Sequence, residues 1–377
     1  MSFLSTARQW PLAAWLALGL TLLSALALRW PYLTLIPRFT DETLEVLHSA
    51  AIARGEIHPL TNYDSYYGAL FSYLLAFPMW LFGTDPLLPR WIVMALGVLT
   101  VVPTFLLGRA IANPTVGVVA ALLVATGSAH IAVNSHIAWS NCITPLFTTV
   151  CFWLLAYWQR SASGPALAGA GLTFGLALQT HPGVAAFAPA IAMFVLWRYP
   201  GAGVSRWMAI ALGAFALGYG NMIVYNVTTD FDSIRSAQRI STEYALADDA
   251  DTGWRSIAAM LLLLGRLIGG AVDQRPDVFS YLLDPAVVLG TVFSAGGLVL
   301  LWKKGQPLPL MAIIAYLVLL PVVNTKFRTL VTVRYLMPIY PLIAICMGVA
   351  IDALARRLGS HSAPLRGMLV TLALMAT

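Results

Sequence analysis

Three carboxylates and a histidine crowd into Phe39-Thr-Asp-Glu-Thr-Leu-Glu-Val-Leu-His48, in a chain whose charged residues make up only 10% of the total. Asp41, Glu45 and His48 are spaced i, i+4 and i+7, so on a helix they share one face. A carboxylate at the edge of an apolar wall can take the proton of a hydroxyl as a general base. Asp41 is the first candidate for that work, with Glu42 in support. Asp41, Glu45 and His48 also offer oxygen and imidazole ligands to a divalent cation, and His58 and Asp64 lie a short loop away. Magnesium or manganese would suit such carboxylates better than zinc. The plain structural alternative is a helix N-cap at Thr40 or Asp41. Thr40 and Thr43 make no capping box, and the added Glu42 and Glu45 favour function over a cap.

A second stretch carries the opposite charge. Asn324 to Tyr335 holds Lys326, Arg328 and Arg334 and no acid. Cations kept at a membrane edge suit an anionic ligand, and arginine can grip a phosphate by two N–H groups. Headgroup snorkelling by long basic side chains is the ordinary alternative. Arg90, His130, Asn134, His136, Asn141, His181 and Asn226 also fall toward one set of span ends, and together they suggest a polar cavity opening there. Trp139, Trp153, Trp158 and Trp197 fit interfacial belts.

The elements that must position these residues are apolar. The 377 residues are 59% hydrophobic, with mean hydropathy +0.79. A soluble domain has about 25% charged residues, so the class is an all-α, polytopic transmembrane helical bundle. Spans are expected near 11–29, 90–109, 115–133, 139–158, 165–180, 183–198, 207–226, 284–302, 307–323, 335–355 and 367–377, about 11 crossings in one domain covering 1–377. The first run has signal-peptide features around Ala25-Leu-Ala27, but an uncleaved span gives the consistent topology. The last is short for a crossing, so the chain is expected to continue past residue 377 or to end in an incomplete helix. Cys142, Cys151 and Cys346 sit in apolar runs and are read as buried thiols.

Orientation follows from the basic residues. With the N-terminus inside, Arg8, Arg109, Arg160, Arg198, Arg206, Lys303, Lys304, Arg356, Arg357 and Arg366 share the inner short loops with a single acid, Asp352. The positive-inside rule then puts 30–89 and 227–283 outside. The first of these holds a helical run from Thr43 to Ala53 and an aromatic run from Tyr66 to Phe82, both suited to the interface plane. The second holds the run Asp248-Asp249-Ala-Asp251, read as a solvated loop, and an amphipathic segment from Trp254.

At this point the chain resembles the GT-C membrane glycosyltransferases, in the protein-mannosyltransferase-like (family 39, ArnT-like) branch. The match rests on Thr40-Asp41-Glu42-Thr43 after the first span, Asp64-Ser-Tyr-Tyr-Gly-Ala-Leu-Phe-Ser-Tyr73 leading into a juxtamembrane helix, Arg90 to Arg109, and Arg334-Tyr-Leu-Met-Pro-Ile-Tyr-Pro341 opening a late helix. Two departures stand out: no large soluble domain follows the helices, and Gln179-Thr-His181-Pro182 stands where many members carry a Thr-Lys pair. The resemblance implies inverting transfer of a sugar from a polyprenyl-phosphate donor to an acceptor hydroxyl, outside the cell membrane. It implies Asp41 and Glu42 as catalytic residues, and Arg334 with Lys326 and Arg328 on the donor phosphate. Arg90, Tyr66, Tyr67, His136, His181 and Tyr335 would line the substrate cavity. The partners implied are the lipid-linked donor, the bilayer, and an acceptor protein, lipid or glycan. Nucleic acid has no place in this scheme, and no G-x-G-x-x-G follows a strand. A transporter or flippase would sooner show repeats and charges at the midplane. A non-catalytic scaffold subunit is the third reading.

Overall fold

A computed structural model describes residues 12–35, 40–201, 205–245, 254–270, 284–323 and 333–358. These form α-helices joined by turns, with one isolated bridge, Thr61 to Gly68. The helices are α1 (Leu12–Arg29), α2 (Thr40–Ala53), α3 (Leu70–Phe82), α4 (Leu88–Leu99), α5 (Val101–Ile111), α6 (Pro114–Thr126), α7 (Ser128–Ser135), α8 (Thr144–Ser161), α9 (Gly164–Thr180), α10 (Ala188–Arg198), α11 (Arg206–Gly218), α12 (Gly220–Thr228), α13 (Asp232–Ala245), α14 (Trp254–Ile268), α15 (Pro285–Lys303), α16 (Leu308–Val323) and α17 (Tyr340–Leu358).

Every expected span inside the described residues is helical, but fewer are long enough to cross a bilayer. Five helical stretches qualify by length and composition, or up to seven if α6 with α7 and α11 with α12 each count as one bent span. The expected span at 367–377 lies outside the described residues. The aromatic run ends in α3, a helix of 13 residues. At about 1.5 Å per residue it rises about 20 Å, short of a hydrocarbon core of about 30 Å. It packs against α2. Phe77, Trp80 and Phe82 remain exposed along it.

The two bends are where the chain gives up backbone hydrogen bonds inside a membrane-sized bundle. The first turns 64° at Gly127 and the second 68° at Tyr219. A broken helix leaves its last carbonyls without partners, which is costly away from water. Arg29, fully buried at the end of α1, supplies the first set: its guanidinium donates to the Ala125 carbonyl at 2.6 Å and the Val124 carbonyl at 3.3 Å. The same group bonds Ser135 Oγ, the Ala25 carbonyl and His130 Nδ1. Gln179 supplies the second: its Nε2 donates to the Gly218 carbonyl at 2.6 Å. Its Oε1 accepts from the Leu70 N–H and its carbonyl from the Gly68 N–H, which fastens the start of α3 to the bundle.

The core is one apolar cluster through the bundle. α17 packs on α15 and α6, and α9 lies between α8 and α11. The closest approaches run through small residues: a side chain on Gly297 would collide with the Cys346 carbonyl, and one on Gly171 with the Ala211 carbonyl. The three cysteines are buried thiols, as their apolar settings imply.

Candidate active site

The first-loop helix is held by a buried ion pair. Arg90, at the start of α4, donates from Nε to Glu42 Oε1 at 2.8 Å and from Nη2 to Glu42 Oε2 at 2.9 Å. Both residues are buried. Arg90 Nη1 also donates to the Leu33 carbonyl at 2.8 Å, beyond the Trp30–Tyr32 turn that ends the first span. One guanidinium therefore fixes the exit of α1 and the entry of α2 against α4. This gives Glu42 and Arg90 a role the sequence reading did not assign: they are each other's partners, and they position the turn that carries Asp41. Asp41 opens α2, and its side chain lies outside the described residues.

One turn further on, Glu45 joins three parts of the chain. Its Oε2 accepts from Asn62 Nδ2 at 2.7 Å and from the Ser140 N–H at 2.9 Å, and its Oε1 accepts from Ser140 Oγ at 3.2 Å. Asn62 Oδ1 in turn accepts from Ser72 Oγ and from the Tyr63 N–H. A carboxylate with this many donors is fixed in place.

Arg334 faces the same place from the other end of the sequence. It stands in the turn Val333–Ile339 that leads into α17. Its guanidinium lies over the Trp139 ring at 4.6 Å and the Tyr335 ring at 4.9 Å, and donates to Tyr335 Oη at 3.0 Å. Glu45, Asn62, Asp64, Tyr66, Trp139 and Arg334 are among the walls of one cavity of about 50 Å³, which Tyr67 and Asn141 also line. Tyr66 donates to Asp64 Oδ2 at 3.1 Å, and its ring packs on Tyr67 at 4.4 Å. Burial, then the Asp64 charge, holds the Tyr66 phenol above its ordinary value, so it stays a neutral donor. Burial does the same to Tyr67. An anionic wall, a stacked arginine and neutral phenols around one cavity offer charge and hydrogen-bond partners to a polar group.

Of the expected cavity residues, Tyr66 and Tyr67 line it. His181 and Tyr335 stand behind: the His181 ring packs on Tyr67 and on Tyr335, each at 5.8 Å, and its Nδ1 accepts from the Gly183 N–H. His136 is elsewhere, buried with its ring nitrogens against the Ile131 and Arg29 carbonyls. Arg90 is taken by Glu42. Lys326 and Arg328 lie outside the described residues. Asn141, expected among the polar residues of a cavity, is one of its walls; Asn62 and Ser140 were not anticipated, and Trp139 was assigned to a belt. Trp139 and Trp158 are in fact buried, whereas Trp197 is exposed as a belt residue should be. The signal that could have found Ser140 is its place in Trp139-Ser-Asn141, a polar pair opening an apolar span.

The metal candidate also changes. Among the described residues no three His, Cys, Asp or Glu side chains could share an ion. Glu45 spends its oxygens on Asn62 and Ser140, and His48 Nε2 is buried without a hydrogen-bond partner among the described residues. Asp41, the third member of that candidate, has its side chain outside the described residues.

Comparison with known proteins bears on the fold. Residues 68–223 match the family model for dolichyl-phosphate-mannose-protein mannosyltransferases. No curated protein matches the sequence. Among solved structures, ArnT from Cupriavidus metallidurans bound to undecaprenyl phosphate is 18% identical, with TM-score 0.64, over 91% of this chain and 61% of that one. The Archaeoglobus fulgidus oligosaccharyltransferase, in complex with zinc and sulfate, is 14% identical, with TM-score 0.59, over 96% of this chain and 51% of that one. The same enzyme tethered to an acceptor peptide gives 12% and 0.55. This chain spans about half to three-fifths of the length of these proteins. The resemblance carried by its motifs is met in three dimensions: the chain is a multi-pass membrane protein with the fold of the GT-C glycosyltransferases, and its residues 68–223 match a protein-mannosyltransferase family model.

Proposed function

We propose that this protein is an integral-membrane glycosyltransferase that moves a sugar from a polyprenyl-phosphate donor to an acceptor hydroxyl, with inversion. The observation that carries the reading is the shared cavity: Arg334 and Glu45 line it from opposite ends of the sequence, one helical turn from Asp41. In this scheme the acceptor oxygen attacks the anomeric carbon as the bond to the phosphate oxygen breaks. Asp41 takes the hydroxyl proton. Arg334, with Lys326 and Arg328, holds the departing phosphate, on which negative charge grows. Fixed cations stabilise that charge most where water is excluded. Glu42, Arg90 and Glu45 position these groups.

The basic residues favour a cytoplasmic N-terminus and an extracytoplasmic site in the cell membrane, with 1–377 acting as one domain. The donor phosphate is the point most open to test. Proteoliposomes of the purified chain are incubated with polyprenyl-phosphate sugars and a cell-envelope extract, and glycans of a deletion strain are compared by mass spectrometry. Release of polyprenyl phosphate with a matching loss of one glycan supports the reading; no turnover with any donor and unchanged glycans overturn it.

A further inference from the structure

The bundle holds a second and larger cavity, about 450 Å³, bounded by α8, α9, α10 and α11. Leu155, Phe174, Ile191, Met208 and Phe215 are among its walls, and every residue lining it is apolar. Leu196 and Leu212 on its rim are 50% and 61% exposed, so it is a groove open toward the surrounding lipid rather than a closed void.

One mouth of the groove is cationic. Arg198 ends α10 one turn past the wall residue Val195, and Arg206 opens α11 two residues before the wall residue Met208. The end of α8, with Arg160, is brought to the same place by Trp158, whose ring packs on Tyr199 at 5.4 Å. Arg160, Arg198 and Arg206 make no ion pair among the described residues, and the sequence from Pro86 to Thr229 contains no Asp or Glu. The mouth therefore concentrates positive charge, and among the described residues none of the three arginines is paired with an acid.

That mouth lies at the far end of the bundle from the candidate active site. α8 runs from Thr144, three residues past the active-site wall residue Asn141, to Ser161 beside the arginines. A lipid phosphate held at Arg334 could not also sit among them. We infer that the groove binds an anionic phospholipid of the opposite leaflet, with one acyl chain along the apolar walls and the headgroup phosphate among Arg160, Arg198 and Arg206. Arginines of this kind recognise a phosphate oxygen by charge-assisted hydrogen bonds, and long apolar walls accept a chain without specific contacts.

Native mass spectrometry of the full chain in detergent tests this, with phosphatidylglycerol and phosphatidylcholine of identical acyl chains as the probes. The three arginines at a charged surface give an expected preference for phosphatidylglycerol on the order of 100-fold. The double variant Arg198→Gln with Arg206→Gln, which leaves Arg160, lowers that preference roughly 30-fold. Ala192→Trp, which fills the groove from its exposed rim, lowers retention of both. Unfolding temperatures measured without added lipid show that each variant is folded. Equal retention of both lipids by the unaltered chain overturns the inference. So does an undiminished preference in the double variant, unchanged retention in Ala192→Trp, or displacement of phosphatidylglycerol by undecaprenyl phosphate at equal concentration.

Discussion

Arg90 and Glu42 meet as a buried two-bond pair, 48 residues apart in sequence and 2.8 Å apart at Nε and Oε1. Removing one partner strands a charge out of water, which costs about 3–5 kcal/mol, whereas replacing both by apolar residues of similar size is far less harmful. Arg90→Met alone should therefore destabilise the chain by about that amount. Glu42→Leu added to it should recover most of the loss, read as unfolding temperature in detergent. Activity should stay low in the double variant, because the turn bearing Asp41 loses its anchor.

Glu45 separates a positioning role from a metal role. Its carboxylate satisfies Asn62 Nδ2 and the Ser140 N–H through one oxygen. A glutamine can keep both bonds and turn its amide N–H toward Ser140 Oγ. Glu45→Gln should then lose about 1 kcal/mol and keep most activity, while Glu45→Ala leaves buried donors unpaired, at about 1–3 kcal/mol each. Equal damage from the two variants, with activity of unaltered protein lost in chelator, would favour a metal ligand instead.

Arg334 is stacked on Trp139 as well as charged. Lysine keeps the charge but loses the planar stack and the paired N–H groups. A desolvated cation–π contact is worth up to about 2 kcal/mol, so Arg334→Lys and Trp139→Leu should each raise the donor KM roughly tenfold or more. The double variant should cost less than the product of the singles, since both remove one contact.

His48 gives a pH signature. Burial lowers its pKa from the ordinary 6.5, so the folded chain keeps it neutral while the unfolded chain takes up a proton first. Stability should hold above 6.5 and fall as the pH drops from there toward the folded value. His48→Gln should flatten that part of the curve of unfolding temperature against pH, and an unchanged slope would assign it to another group.

The bundle was readable because a bilayer selects for long apolar runs, and the helices α2 and α3 because apolar residues recur along their short runs. Arg334, Tyr66 and Tyr67 were readable as residues facing one cavity because charge or phenol at an apolar boundary is costly without a use. The pairings were not. Nothing local tells Glu42 that Arg90 is its partner, or Glu45 that Asn62 and Ser140 are. Arg29 looked like an ordinary span end, because the carbonyls it serves exist only once α6 breaks at Gly127. His136 looked like a cavity residue for the same reason: its Nε2 faces the Arg29 carbonyl. Trp139 and Trp158 carried belt composition, but their burial is decided by neighbours far along the chain.

The central claim is that Asp41 and Arg334 serve one sugar-transfer step. The most direct measurement is the rate of polyprenyl-phosphate release from a lipid-linked sugar by the unaltered chain and by Asp41→Asn, at saturating donor. A general base contributes typically about 100- to 10,000-fold. Asp41→Asn should therefore lower kcat by at least about 100-fold while binding the donor normally through Arg334. Full turnover by Asp41→Asn would contradict the account.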